Sequence, residues 1–211
     1  MDDNKKFWQR TAFLYEKFTR GGKSAARAYD ELEASIVEFL NKNMKVLELA
    51  AGPGMLSGKL AKASKSLEVT DFSEEMIEMG KRKQLGENVT FAVADATALK
   101  YGDKTFDAVV ISNALHIMPD PSKALKEIRR VLKEDGILIA PTFTRENMKS
   151  RLVEKLMEAV GFVTYSRWTH STYQEFLKSH GFEIRSAKVI EGHNFPISFI
   201  VCSKRIVWNE M

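Results

Sequence analysis

With one cysteine in 211 residues, Cys202, the chain has no internal disulfide framework. Its neighbours Phe199, Ile200 and Val201 mark it as a small buried hydrophobe rather than a nucleophile or ligand. No apolar run approaches the length that spans a bilayer, and the start Met1-Asp2-Asp3-Asn4-Lys5-Lys6 lacks the apolar core of a signal peptide. A cytoplasmic location is the expectation. Charge of one sign is also scarce: 32 Lys and Arg stand against 28 Asp and Glu, a net of +4, with lysines spread among glutamates. Nucleic-acid binders usually gather their cations on one face, so no nucleic-acid partner is expected. Repeats and low-complexity segments are absent, and no metal site is expected. What remains, 44% apolar residues in a chain of this length, suits one globular domain with a full core.

Residues 5–40 read as helical, with Phe7, Thr11, Leu14 and Phe18 on one stripe, a break at Gly21-Gly22, and a second stripe through Tyr29, Leu32, Ile36 and Leu40. From Lys45 the pattern alternates strands with helices, the mark of βαβ units and a parallel sheet. Strands are expected near 45–50, 66–71, 89–94, 106–112 and 136–142, and helices near 54–63, 74–85 and 121–133. Ser73 is placed to cap one helix, with Glu74 and Glu75 in its first turn; Asp120 is placed to cap another that begins with Pro121. Two more helices, 147–160 and 172–180, precede strands at 182–190 and 196–203, which read as an antiparallel hairpin turning near Gly192-His193-Asn194.

Chemistry concentrates at the strand ends. The apolar run Val46-Leu47-Glu48-Leu49 enters Ala50-Ala51-Gly52-Pro53-Gly54, and further acids follow at Asp71 and Asp95. In an open parallel sheet the carboxyl ends of the strands line the ligand crevice, so three carboxylates converge there. Gly52 and Gly54 allow a sharp turn and close approach of a ligand, and the following helix start offers free N–H groups to an anion. Asp71, about twenty residues beyond the glycines, has the spacing of a ribose-binding acid. That spacing also fits a dinucleotide, but G-x-G-x-x-G is incomplete here, with Ser57 where the third glycine belongs. A dinucleotide-dependent oxidoreductase therefore stays open as the alternative enzyme.

The order Glu48…Gly52-Pro53-Gly54, Asp71-Phe72-Ser73, Ala94-Asp95-Ala96, Phe106-Asp107-Ala108-Val109-Val110 and Leu132-Lys133-Glu134-Asp135-Gly136-Ile137-Leu138 resembles the class I S-adenosylmethionine-dependent methyltransferases, in their small-molecule and lipid-quinone, type 11-like branch. The resemblance covers residues 40 to 142 closely. It implies a Rossmann-like, doubly wound, seven-stranded sheet, mostly parallel with an antiparallel last strand and helices on both faces. Segments 1–43, 44–142 and 143–211 would then be a helical lid, the cofactor core and the acceptor side of one domain. S-adenosylmethionine would be the cofactor and S-adenosylhomocysteine the product. Glu48 would meet the cofactor's ammonium and Asp71 its ribose. Phe72 or Met76 would pack on the adenine, and Asp95, beside Ala96, would accept from the adenine amine. Pro53 lies within the turn. Ala50 stands where many members carry glycine, which makes the turn bulkier.

Methyl transfer from a sulfonium needs positioning and desolvation, and a base only when the acceptor must lose a proton. Ser112-Asn113-Ala114-Leu115-His116 follows the fourth strand, where this architecture places acceptor-facing groups; His116 is the candidate acid/base or orienting residue, and Asn113 a wall of the methionine pocket. The segment is not N-P-P-Y or D-P-P-Y, which argues against base-modifying activity. Tyr165, Arg167, Trp168 and His170 form an aromatic and basic group over the acceptor, with Arg145, Arg167 and His170 candidates to hold an anionic acceptor. Trp8, Tyr15 and Phe18 are candidates for a lid over the cofactor; alternatively Lys5, Lys6, Arg10 and Lys17 lay that helix on a membrane surface. The expected activity is methylation of a small molecule; a catalytically silent cofactor-binding protein is the alternative outside enzymes.

Overall fold

A computed structural model of the chain describes residues 22–146, 163–191 and 195–205. The segments expected as helix 5–21, helix 147–160 and the turn at 192–194 lie outside them. Of the N-terminal helices, α1 (Lys23–Val37) is described; it starts after Gly22, whose φ of 101° makes the break expected there.

The strands are β1 (Lys45–Leu49), β2 (Ser66–Asp71), β3 (Val89–Val93), β4 (Phe106–Ile111), β5 (Leu132–Ile139), β6 (Thr142–Phe143), β7 (Phe182–Ile190) and β8 (Ile197–Lys204). Interleaved helices are α2 (Ser57–Ala63), α3 (Glu74–Lys81), α4 (Pro121–Val131) and α5 (His170–Ser179). The strand order is β3-β2-β1-β4-β5-β8-β6, with β7 also pairing β8. Strands β1 to β5 run parallel, and β8 runs antiparallel to β5, β6 and β7. Among the described residues the sheet has eight strands, not seven. The strand expected at 136–142 breaks at Pro141, which has no N–H for the ladder, and Thr142–Phe143 pairs separately with β8.

Alternation decides which residues face which layer. Val46, Val69, Ala108, Val110, Ile139, Phe199 and Val201 pack under Leu32 and Ile36 of α1 and Leu60 of α2. Leu47, Leu49, Val109, Ile111, Leu138, Ile200 and Cys202 pack under Leu125 and Ile128 of α4 and Tyr173 and Leu177 of α5. Cys202 is fully buried, which pushes its thiol up to about 12, as expected of a packing residue. With both faces covered, β1 and β4 read as near-continuous apolar runs. The chain winds outward from β1 to β3, then restarts at β4 on the other side of β1, and this reversal opens the crevice at the carboxyl ends.

The caps fall where the side chains place them: Ser73 Oγ accepts from Met76 N, and Asp120 Oδ1 from Lys123 N at 3.1 Å. Three helices are shorter than expected. Residues 52–56 remain turns, so α2 begins at Ser57; α3 closes at Lys81 before the left-handed Gln84; α4 closes at Val131, where Leu132 joins β5 opposite Phe106. α5 starts at His170, earlier than expected, because Thr169 and Thr172 form a reciprocal capping box. Among the described residues no helix is long and apolar enough to cross a membrane.

The register shift between β4 and β5 leaves buried Gly136 under a tight ceiling: a Cβ there would sit 3.1 Å from Lys133 O and 3.2 Å from Asp107 O. Because those atoms are backbone, Gly136→Ala should cost about 1–3 kcal/mol. Denaturant unfolding checks this; an unchanged midpoint would contradict the packing described.

Candidate functional site

The turn after β1 is left-handed at three positions: Ala50 with φ 52°, Gly52 with φ 56° and Gly54 with φ 72°. Glycine visits this region freely, whereas an alanine there carries about 1–2 kcal/mol of backbone strain. The departure at Ala50 is thus one of backbone conformation rather than bulk. The turn persists because its neighbours fix it. Ala51 N donates to Thr70 O, Thr70 Oγ1 donates to Glu48 O, and Gly52 N donates to Asp71 Oδ2 at 2.8 Å. Pro53 and Gly54 are buried beneath it.

Asp71 Oδ1 accepts from Ser73 N at 2.9 Å, so this one carboxylate ties the end of β2 both to the glycine turn and to the start of α3. It is 4% exposed, and burial raises its pKa against the lowering effect of these N–H donors. Glu48 is 2% exposed, and its Oε2 accepts from Ser57 Oγ at 2.5 Å. Burial lifts its pKa from 4.5 to about 7, opposed by the Ser57 bond and by the charge of Lys83. Lys83 Nζ also donates to Gly54 O at 3.4 Å. The position where a dinucleotide fingerprint wants its third glycine is therefore filled by a hydroxyl bonded to the acid of β1. Ser57 is a site residue that the sequence reading treated only as a missing glycine.

The remaining cofactor-side candidates divide. Phe72 is half-buried at the crevice, whereas Met76 is 3% exposed and held inside α3. Asp95 Oδ1 accepts from Thr97 N and Thr97 Oγ1, both at 2.8 Å, which closes its own loop. Ala96 is a core residue beside Leu99. Asn113, left-handed at φ 52°, donates through its N to Pro141 O at 2.8 Å, and its buried Oδ1 has no hydrogen-bond partner. Its Nδ2 lies 3.5 Å from Tyr29 Oη of α1. Because α2 begins at Ser57, the glycines are separated from the helix start by a turn, and the N–H groups nearest the crevice belong to that turn.

On the other side of β4, the structure gathers candidates that are far apart in the chain. His116 sits in a short 3-10 turn (Leu115–Ile117), 7% exposed, with Nδ1 3.0 Å from Thr142 Oγ1 and its ring edge-on to Phe143. Burial lowers its pKa to about 4, so it is neutral at physiological pH, and its imidazolium is too acidic to form readily. The carbonyl of His116 accepts from Tyr165 N and Ser166 N, and Arg145 N donates to Trp168 O, which seats residues 163–169 against this turn. Trp168 itself is half-buried and packs on Tyr173 and Phe176 at the edge of the core. Tyr165 is 41% exposed. His170 Nδ1 is 2.7 Å from Ser198 Oγ. Tyr15, with Trp8 and Phe18, lies outside the described residues. Thr142 and Ser198 carried no signal in the sequence, since their partners lie 26 and 28 residues away.

A profile for a methyltransferase domain matches residues 47–140, the segment that builds the crevice. A demethylmenaquinone methyltransferase of Clavibacter sepedonicus is 43% identical over 101 residues, which is 47% of this chain and 41% of that protein. The ubiquinone/menaquinone biosynthesis C-methyltransferase UbiE of Rickettsia bellii is 31% identical over 178 residues, 79% of this chain and 63% of that protein. The chain thus spans less than two thirds of the length of these relatives. The solved structure of magnesium protoporphyrin IX methyltransferase from Synechocystis, with bound SAH, matches 95% of this chain and 98% of that chain at 18% identity and a TM-score of 0.75, a likeness of fold.

The buried Glu48 makes a pH-dependent contribution of definite sign. Its folded pKa of about 7 lies above the ordinary 4.5, so the native state holds a proton that the unfolded chain releases. This contribution to the stability of the ligand-free protein is fully present below about pH 4.5 and is lost as pH rises through 7, about 3 kcal/mol in all. Glu48→Gln should remove this slope, as read from the difference between the two unfolding curves at each pH; parallel curves would show that Glu48 is charged throughout.

Proposed function

We propose that this chain is a class I S-adenosylmethionine-dependent methyltransferase, as its match to a methyltransferase-domain profile and its relatives support, and that it methylates a small molecule whose reacting part is a hydroxylated, quinone-like ring. What carries the reading is the Asp71 carboxylate, which joins the glycine turn of β1 to the end of β2 and so brings the first-strand acid and the second-strand acid to one crevice. The quinone-like acceptor is supported by the relatives, one named a demethylmenaquinone methyltransferase and another a ubiquinone/menaquinone biosynthesis C-methyltransferase.

The residues fit the cofactor. A carboxyl oxygen has lone pairs beyond those that Gly52 and Ser73 use, so Asp71 accepts from two ribose hydroxyls. Glu48, no farther from charge neutrality than one proton, meets the ammonium of the methionine end, and the lone Oδ1 of Asn113 supplies a buried acceptor on the β4 side. Asp95 faces the adenine amine with the oxygen that Thr97 leaves free, and Phe72 covers the ring. Bound there, the cofactor supplies a methyl group already activated by the positive charge of its sulfur. The chain's own task is to place the acceptor in line and keep water out. Segment 44–142 holds the cofactor, the described residues beyond 142 shape the acceptor side, and the helix Lys23–Val37 packs on the sheet of the same domain.

Titration calorimetry tests this. S-adenosylmethionine and S-adenosylhomocysteine should bind and NADH should not. Asp71→Ala should weaken S-adenosylhomocysteine by tenfold or more, since each lost hydrogen bond to a charged acceptor is worth about 1.5–3 kcal/mol. It should also lower the melting temperature, because Gly52 N and Ser73 N lose their acceptor. Unchanged affinity in a folded Asp71→Ala variant would refute the assignment, and binding of NADH alone would move the chain to the oxidoreductases.

A further inference from the structure

Thr142 of β6 and Ser198 of β8 stand directly opposite each other in the antiparallel ladder, so their side chains leave the sheet on the same face. They continue the rows Leu138–Ala140 and Cys202–Ile200, which are apolar, and at the carboxyl end of β5 that face abruptly becomes polar. Both hydroxyls are 0% exposed. Each meets one imidazole: Thr142 Oγ1 lies 3.0 Å from Nδ1 of His116, and Ser198 Oγ lies 2.7 Å from Nδ1 of His170.

The protons can be placed from this. A buried hydroxyl hydrogen needs an acceptor, and among the described residues the acceptor within reach of each hydroxyl is the Nδ1 of its histidine. Each Oγ–H therefore donates to Nδ1, and a neutral imidazole that accepts at Nδ1 carries its own hydrogen at Nε2. Among the described residues neither Nε2 has a hydrogen-bond partner. The two rings are also fixed to one frame. The His116 carbonyl holds Tyr165 N and Ser166 N, and the His170 N–H donates to Glu146 Oε1, next to Arg145, which is itself bonded to Trp168 O.

We propose that His116 and His170 form a two-donor site, Nε2–H from each ring, for the oxygen of an acceptor whose reacting ring bears an ionisable hydroxyl: a phenol or an enol. This deepens the reading above and rests on it for the identity of the second ligand. The site binds the deprotonated hydroxyl more tightly than the neutral one, because donors preorganised in a water-poor place favour the oxyanion. The hydroxyl proton passes to water. The buried His116 imidazole does not take it, since burial disfavours its charged form and its Nδ1 already faces Thr142 Oγ1. His116 is thus an oxygen-binding residue rather than a general base, and Thr142 and Ser198 are positioning residues that set which nitrogen carries the hydrogen.

The probe is 4-nitrophenol, whose ionisation is read by absorbance, titrated with pH in the presence of excess full-length protein, with and without saturating S-adenosylhomocysteine. The wild type should lower the apparent pKa of the bound phenol by about one unit or more, a tenfold preference for the phenolate. His116→Phe and His170→Phe should each reduce that shift while S-adenosylhomocysteine affinity stays within twofold. Thr142→Val and Ser198→Ala, which keep both rings but release Nδ1, should reduce it as well, an effect that simple packing would not produce. An unshifted phenol in the wild type, or a full shift in the histidine variants, overturns the proposal. Failure of S-adenosylhomocysteine to bind would instead refute the cofactor assignment, and the titration without it still decides the histidines.

Discussion

The structure hinges on how a left-handed turn is held open at the point where the sheet reverses direction. Ala50, Gly52 and Gly54 all adopt a backbone that an unconstrained chain would leave, and Ala50 does so at a cost. What over-determines the turn is a pair of buried carboxyl groups at its two sides, Asp71 gripping Gly52 N–H and Glu48 gripping Ser57 Oγ. Remove the grip and the strain has an outlet. The crevice is therefore made by the same groups that are proposed to meet the cofactor, so on that reading site and scaffold cannot be separated there.

Those carboxyl groups are kept in place at a desolvation cost that shows in their raised pKa values. A ligand ammonium beside Glu48 would bring its pKa back down, so binding at neutral pH expels a proton, and part of the favourable interaction offsets burial that the empty site endures. Such a site is less stable than an apolar one of the same shape and more responsive to its ligand. Lys83, near enough to interact with Glu48 and bonded to Gly54 O, moderates that cost from the solvent side.

On the far side of β4 the organising element is β8. Running antiparallel between β5 and β7 with every residue buried, it covers the edge left by the parallel strands and carries Ser198 to a position opposite Thr142. The break at Pro141 sets that register: it ends β5, lends its carbonyl to Asn113 N, and restarts the ladder two residues long at Thr142. The capping box at Thr169 and Thr172 then begins α5 at His170, which puts the second imidazole within reach of Ser198. This side of the crevice is thus assembled from three chain segments by backbone geometry.

The parallel order of β1 to β5, the caps at Ser73 and Asp120 and the acids at strand ends were legible in the residues, because each is written in local spacing: a period of two or 3.6, a glycine pair, an acid where an apolar run stops. So was the antiparallel pairing of the last two strands. The short strand at Thr142–Phe143, the late start of α2 and the packing of Trp168 on Tyr173 and Phe176 were not, since each depends on what another segment offers. Glu48 and Asp71 could be named from the sequence, but their bonds to Ser57 and to Gly52 could not, nor could the burial of His116 against Thr142, which lowers its pKa to about 4. A side chain's identity and its place in a strand follow from near neighbours in the chain; its protonation and its partners follow from burial and from contacts dozens of residues away, and those exist only once the sheet has closed.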